Sequence, residues 1–253
     1  MKRYKQLIDK YKAFGIDLNS KHISIYRYEG DDGSFDYDLY KKAQTNVNLK
    51  KIAFPGPDSK RMKKISNHIE QNIPDLTFGL CHGTRRGSEQ RDFKRFLGID
   101  VLGTEISHTA SDFDRTIQWD FHEMKDEWKN NVCFIYSNSL DHSYDPIKCL
   151  GVWMSCIKPK GKIYLQRGAD DTIVGSQKLH QKFGPTSKGI DDIQLIPADI
   201  FQANEEVFLK IVDAAGNGEW QISKPEELIL NWKHKTYDHD VHGIKRVLVL
   251  ERK

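Results

Sequence analysis

Apolar positions recur at helical spacing over two stretches near the N-terminus, Tyr4 to Phe14 and Ser59 to Asn72. Between them the sequence is polar and turn-rich around Gly30-Asp31-Asp32-Gly33 and Phe54-Pro55-Gly56-Pro57. This pattern predicts a helical cap over residues 1–74. From Asp75 the texture changes: short apolar runs alternate with helical segments at the spacing of βαβ units, which predicts an α/β domain with a parallel sheet over 75–253. The strands read as Leu76 to Cys81, Asp100 to Ile106, Val132 to Ser137 and Lys162 to Gln166. The helices between them read as Glu89 to Leu97 and Pro146 to Ile157, the second stopped by the turn Lys158-Pro159-Lys160-Gly161. Gly168 to Gly189 has weak periodicity and reads as a long loop with room for a helix, of a kind that covers sites at strand ends. Glu227 to Trp232 and Ile244 to Leu250 read as an antiparallel pair closing the sheet edge around a polar turn, Lys235 to Gly243.

Composition narrows the class. With 253 residues, 38% of them apolar, the chain is long enough for one sizeable core with a decoration. No apolar run approaches the ~18 residues of a membrane span, and Met1-Lys2-Arg3-Tyr4-Lys5 leads into no secretory apolar region, so a soluble, cytoplasmic protein is expected. Cys81, Cys133, Cys149 and Cys156 lie in apolar surroundings without a CxxC pair, which suggests neither a zinc cage nor a disulfide framework and predicts reduced core thiols. The net charge of +3 is uneven: residues 1–74 carry 15 Lys and Arg against 9 Asp and Glu. Such a surplus suits a solvated face or an anionic partner. Aromatic residues do not interleave with the basic ones, so a nucleic-acid strand is not the expected partner.

The informative segment runs from Phe78 through Gly79-Leu80-Cys81-His82-Gly83-Thr84-Arg85-Arg86-Gly87-Ser88 to Glu89: a strand, a small-residue turn, then a helix. Gly83 and Gly87 let backbone approach a ligand, and the new helix presents unpaired N–H groups. Glu105 follows 22 residues after Gly83 at the end of the next strand, where a carboxylate can accept both hydroxyls of a ribose. Asp120 in Thr116-Ile117-Gln118-Trp119-Asp120-Phe121-His122 is placed to accept from an adenine amine, with Phe121 beside the ring. His122-Glu123 resembles a ligand pair, but adjacent residues point apart, so capping or solvent exposure is the expectation there.

This order resembles the class I S-adenosylmethionine-dependent methyltransferases. In that family a glycine-rich turn follows the first strand, an acid ends the second, an Asp-plus-apolar pair follows the third, and the fourth runs into a turn ending in His. A Lys-Pro-Gly-Gly-like turn precedes the fifth strand. Here the last two features are Val132 to Ser137 followed by Asn138-Ser139-Leu140-Asp141-His142, and Lys158-Pro159-Lys160-Gly161. The resemblance implies a Rossmann-like, mostly parallel seven-stranded sheet with helices on both faces, and S-adenosylmethionine as cofactor. It places cofactor contacts at Cys81, His82, Gly83, Thr84 and Arg85, at Glu105 and Ile106, at Asp120 and Phe121, and at Asn138. The chain departs from the family pattern at Gly79, where an acid is usual, and at Cys81 and Arg85, which take two of the usual glycine positions; Arg85 or Arg86 is suited to meet the methionine carboxylate. A nicotinamide-dependent oxidoreductase and a nucleoside-binding regulatory module without activity are the rival readings. Against the first, Gly79 and Gly83 are four apart, not the two of GxGxxG.

For the acceptor, a hydroxyl needs alignment and one base. His142 and Asp141, where the fourth strand meets the open sheet edge, are the candidates, His142 being matched to neutral pH and Asp141 able to orient it. A divalent metal held by Asp141 with Asp170-Asp171 is the less favoured alternative. Arg167 at the end of the fifth strand, with His239 and Asp240, is expected to contact the acceptor. The polar His/Asp/Arg rim points to a sugar or glycan hydroxyl ahead of another small molecule or an RNA.

Overall fold

Val132–Tyr136 is an uninterrupted apolar and aromatic run, the signature of a strand covered on both faces, and the strand Val132–Ser137 forms the centre of the sheet. The computed structural model describes residues 2–54, 56–168, 186–188, 192, 196, 199–235 and 240–253. The strands are β1 (Ile23–Ile25), β2 (Phe78–His82), β3 (Asp100–Glu105), β4 (Thr116–Gln118), β5 (Val132–Ser137), β6 (Ile157–Gly168), β7 (Phe201–Ala203), β8 (Trp220–Ser223), β9 (Ile229–Lys235) and β10 (Asp240–Arg252). The helices are α1 (Lys2–Ala13), α2 (Tyr37–Lys51), α3 (Ser59–Asn72), α4 (Ser88–Leu97), α5 (Pro146–Cys156) and α6 (Glu205–Ala215).

The main sheet runs β4-β3-β2-β5-β6-β10-β8, and β9 pairs with the first half of β10. Strands β2 to β6 are parallel neighbours, whereas β10 runs antiparallel to β6, β8 and β9. The expected seven-stranded, mostly parallel sheet is therefore present, as is the antiparallel closing pair. The Lys158–Gly161 segment, expected as a turn before the fifth strand, lies inside β6: Val132 pairs with Ile157 and Phe134 with Lys162, so the intervening residues bulge and Lys160 takes a φ of 66°.

Successive residues of each strand feed opposite cores. Leu80, Ile135, Leu248 and Leu250 pack with α5 and α6 on one face; Cys81, Phe134, Tyr136, Val247 and Val249 pack with α3 and α4 on the other. Of residues 1–74, α3 thus covers the second face, and Tyr11 of α1 is buried in the first core. Residues 26–43 build a third, smaller core of Tyr26, Tyr28, Tyr40 and Ala43 with Ile196 and Ile200, and β1 pairs antiparallel with β7 beside it. Helix α2 begins at Asp36, whose side chain accepts from the Leu39 N–H, and it lies over the carboxyl ends of the sheet strands.

Candidate functional site

The strand ends carry the chemistry. Gly83 follows β2 at φ +71°, and a Cβ there would stand 2.5 Å from that of Ser139, so only glycine lets the turn pack against the loop after β5. Arg85, at the strained φ of 47°, donates its N–H to Glu105 Oε2 at 3.0 Å, and the Ser107 N–H donates to Oε1 at 3.0 Å. The Glu105 carboxylate is thereby fixed by one main-chain bond to each oxygen. Each oxygen keeps a further lone pair for a ligand hydroxyl.

Asp120 is oriented in a similar manner. Its Oδ1 accepts from the His122 main-chain N–H at 2.9 Å and from the ring Nδ1 at 2.7 Å, while His122 Nε2 accepts from the Ser143 hydroxyl at 2.8 Å. Burial acts to raise the Asp120 carboxyl, but the His122 hydrogen bonds outweigh it and hold it below the usual carboxylate range. Burial likewise lowers His122, whose ring stacks on Tyr144 at 3.7 Å between centroids. His122 and Ser143 are wholly buried, so this Asp-His-Ser chain positions Asp120 and has no access for a nucleophilic role. Asp120 Oδ2 is buried with no close hydrogen-bond partner among the described residues, and the Tyr37 hydroxyl interacts with the same carboxylate and helps hold it low.

Gly83, Arg85, Glu105, Ile106, Asp120, Phe121 and His142 converge on one cleft, roofed by Tyr40, Gln44 and Asn48 of α2. The roof leaves a cavity of about 70 Å³. On one side Ile106 and Asp120 also border a 290 Å³ hollow walled by Tyr37, Lys41 and Trp119; on the other, Gly83 and Arg85 border a 760 Å³ cleft. The three form a trough along the strand ends with α2 across its middle.

Other expected residues lie elsewhere. The Cys81 side chain packs in the second core, where burial pushes its thiol up. His82 turns into the first core, stacked on Trp153 at 4.8 Å and bonded through Nδ1 to Thr104 Oγ1 at 2.8 Å; burial takes its pKa down to about 3. Neither side chain reaches the cleft, because both belong to the alternating faces of β2. Thr84 and Asn138 border the 760 Å³ cleft instead. Gly79 has a packing reason as well: a Cβ there would stand 2.4 Å from the Phe134 ring. His122, expected as a cap or solvent-exposed residue, is the buried partner of Asp120.

His142 Nδ1 meets Gln44 Oε1 at 2.8 Å, and its Nε2 faces Asp199 Oδ1 at 3.3 Å and Asp141 Oδ1 at 3.8 Å. Asp141, His142 and Asp199 are the described group whose donor atoms converge within metal-binding range, all within 4.8 Å of one another. Asp199 was not singled out by the sequence; it is 57 residues from His142 in the chain, and the Ile200 N–H donating to the Asp141 carbonyl at 2.7 Å holds it here. Asp170, Asp171 and His239 lie outside the described residues. Arg167 sits on β6 opposite Arg246, and Asp240 opens β10 opposite Lys235.

Neither protein-family models nor curated proteins give a match to the sequence. Solved structures do. The chain superposes on mitomycin 7-O-methyltransferase with a TM-score of 0.54 at 12% identity, over 99% of this chain and 67% of that one. A SAM-dependent methyltransferase from Archaeoglobus fulgidus matches at 0.51 and 13% identity, over 82% and 99%. The 1,6-didemethyltoxoflavin-N1-methyltransferase of Burkholderia thailandensis, solved with bound 1,6-didemethyltoxoflavin and S-adenosylhomocysteine, matches at 0.52 and 11% identity, over 92% and 97%. The chain therefore has the Rossmann-like fold of S-adenosylmethionine-dependent methyltransferases. Among the described residues no helix is long and apolar enough to cross a membrane.

Proposed function

We propose that the protein is an S-adenosylmethionine-dependent methyltransferase that methylates a hydroxyl of a sugar or glycan. The observation that carries this reading is the pairing of Glu105 and Asp120 across one cleft: one carboxylate pre-set for a ribose diol, the other with a buried oxygen that has no close partner and suits an exocyclic amine. A ligand N–H on that oxygen would add a charge-assisted hydrogen bond of about 1.5–3 kcal/mol. Arg85, which borders both the cofactor cleft and the neighbouring one, suits the methionine carboxylate. The cofactor supplies a methyl group already activated on a sulfonium.

The remaining work falls to the chain's own residues. Gln44 Nε2 donates to the Tyr28 hydroxyl at 3.2 Å, which turns Gln44 Oε1 toward His142 and keeps the ring proton on Nδ1. His142 Nε2 is then free to take a proton from an acceptor hydroxyl, and the nearby Asp199 and Asp141 carboxylates stabilise the imidazolium that forms. A cavity of about 70 Å³ is well below the ~300 Å³ of a ligand pocket, so α2 moves outward when the cofactor binds.

Calorimetric titration of the full chain with S-adenosylhomocysteine tests the cofactor site, and mass spectrometry identifies any co-purifying nucleoside. Tritiated methyl transfer onto a panel of glycans, RNA and small alcohols tests the acceptor. Absence of saturable binding removes the cofactor reading; incorporation into RNA alone removes the sugar.

A further inference from the structure

The 760 Å³ cleft next to the proposed cofactor site is walled by arginines. Arg85 and Arg86 come from the turn after β2, Arg91 and Arg95 from α4, and Arg61 from α3. Two of the five are already neutralised: Arg61 pairs with Asp58 at 2.7 Å, and Arg95 lies 3.7 Å from Asp92. Arg85 and Arg86 reach only main-chain carbonyls, of Lys51, Phe54 and Ala53, and neither they nor Arg91 sits in an ion pair with a described carboxylate. The other acid on the wall, Glu89, is buried, and burial pushes its carboxyl up to about 7, so at neutral pH it carries only part of a charge. Three unneutralised guanidinium groups therefore face one concave space.

Resting on the methyltransferase reading above, we infer that the acceptor is a phosphate-bearing small molecule whose anionic group is held in this cleft by Arg86 and Arg91, with Arg85 shared between acceptor and cofactor. A carboxylate would offset one of the three charges; a phosphate ester or diphosphate carries about two and accepts paired N–H groups from the guanidinium fork. The cleft lies within the ~300–1,000 Å³ of small-molecule sites, and its shared border at Gly83 and Arg85 joins it to the cofactor trough. Asn138 and Gln166, polar residues on the same wall at the ends of β5 and β6, are placed to take hydroxyls of the phosphorylated molecule.

The test is calorimetric titration of the full chain with inorganic pyrophosphate, alongside S-adenosylhomocysteine. Saturable binding is expected, weakened about tenfold for each of Arg86→Ala and Arg91→Ala and partly restored by R86K and R91K, with S-adenosylhomocysteine affinity unchanged throughout. A protein that binds S-adenosylhomocysteine but not pyrophosphate, or a double alanine variant that binds pyrophosphate as the parent does, overturns the anion site and leaves the cofactor reading standing. Failure to bind S-adenosylhomocysteine overturns the cofactor reading itself. A single-stranded RNA that binds more tightly than pyrophosphate, with an affinity falling steeply as salt rises, replaces the small molecule with a polymer and overturns the proposal.

Discussion

Replacing Glu105 by alanine removes one carboxylate that the structure uses twice. Its oxygens accept from the part-buried main-chain N–H of Arg85 and the buried N–H of Ser107, and Arg85 is held at a positive φ by one of those bonds. Hydrogen bonds to a charged acceptor contribute about 1.5–3 kcal/mol each, so losing both costs roughly 3 kcal/mol or more of folding stability. The same carboxylate is the proposed partner of the ribose, and two charge-assisted bonds lost there weaken cofactor binding by more than about tenfold. Glu105→Gln separates the two roles. It keeps one acceptor oxygen, so about half the stability loss returns, but its amide nitrogen cannot accept from a hydroxyl, and the binding defect persists. Urea unfolding followed by circular dichroism measures the first effect and calorimetry with S-adenosylhomocysteine the second. A folded Glu105 variant whose affinity equals the parent's refutes the placement of the ribose, whatever happens to stability.

His142→Ala and Asp141→Ala are expected to spare S-adenosylhomocysteine binding but slow methyl transfer by roughly a hundredfold, as for loss of a general base; full activity in both and in the double variant places the base elsewhere. EDTA is expected to leave the transfer rate unchanged, and a loss restored by Mg²⁺ would reassign Asp141, His142 and Asp199 as metal ligands. Between about 4.5 and about 7 the unfolded chain has lost the Glu89 proton while the fold retains it, so Glu89 makes stability fall as pH rises through that window and adds no further change above it. Glu89→Gln is expected to flatten this slope and to be more stable than the parent above pH ~7 by up to about 3 kcal/mol in chemical denaturation; an unchanged slope refutes the shifted carboxyl.

The parallel sheet was legible because its strands are covered on both faces: Val132–Tyr136 reads as an unbroken apolar and aromatic run, and Val132–Ser137 is buried throughout. Helices α4 and α5 were legible from the helical spacing of their apolar positions, although the second ends at Cys156, before the Lys158–Gly161 turn expected to stop it. Glu105 and Asp120 were visible because a carboxylate at a strand end has few structural reasons to be there. His122 was misread because its role depends on the loop after β4 folding back so that ring and carboxylate two residues apart meet, which no periodicity reports. Cys81 and His82 were grouped with the site by proximity in the chain, while alternation along β2 sends both side chains into the cores.

Helix α2 escaped pattern analysis for a reason that bears on how the site works. Its buried positions include Tyr40, Ala43, Gln44 and Asn48, spaced as one helical face, but two of the four are amides, so the inward stripe reads as polar. Those amides are bonded into the site: Gln44 to Tyr28 and His142, Asn48 Oδ1 to the Thr109 hydroxyl, and the Tyr40 hydroxyl to the His142 carbonyl at 3.3 Å. A roof held by an apolar stripe would cost about 25 cal/mol for each Å² exposed on lifting. Net exchange of a hydrogen bond with water costs only about 0.5–1.5 kcal/mol, and polar ligand atoms can take over the bonds α2 gives up. The amide half of the inward face, which hides the helix from periodicity, is thus the part whose bonds polar ligand atoms could replace, while Tyr40 and Ala43, packed in the third core, are the apolar anchor that holds the helix in place.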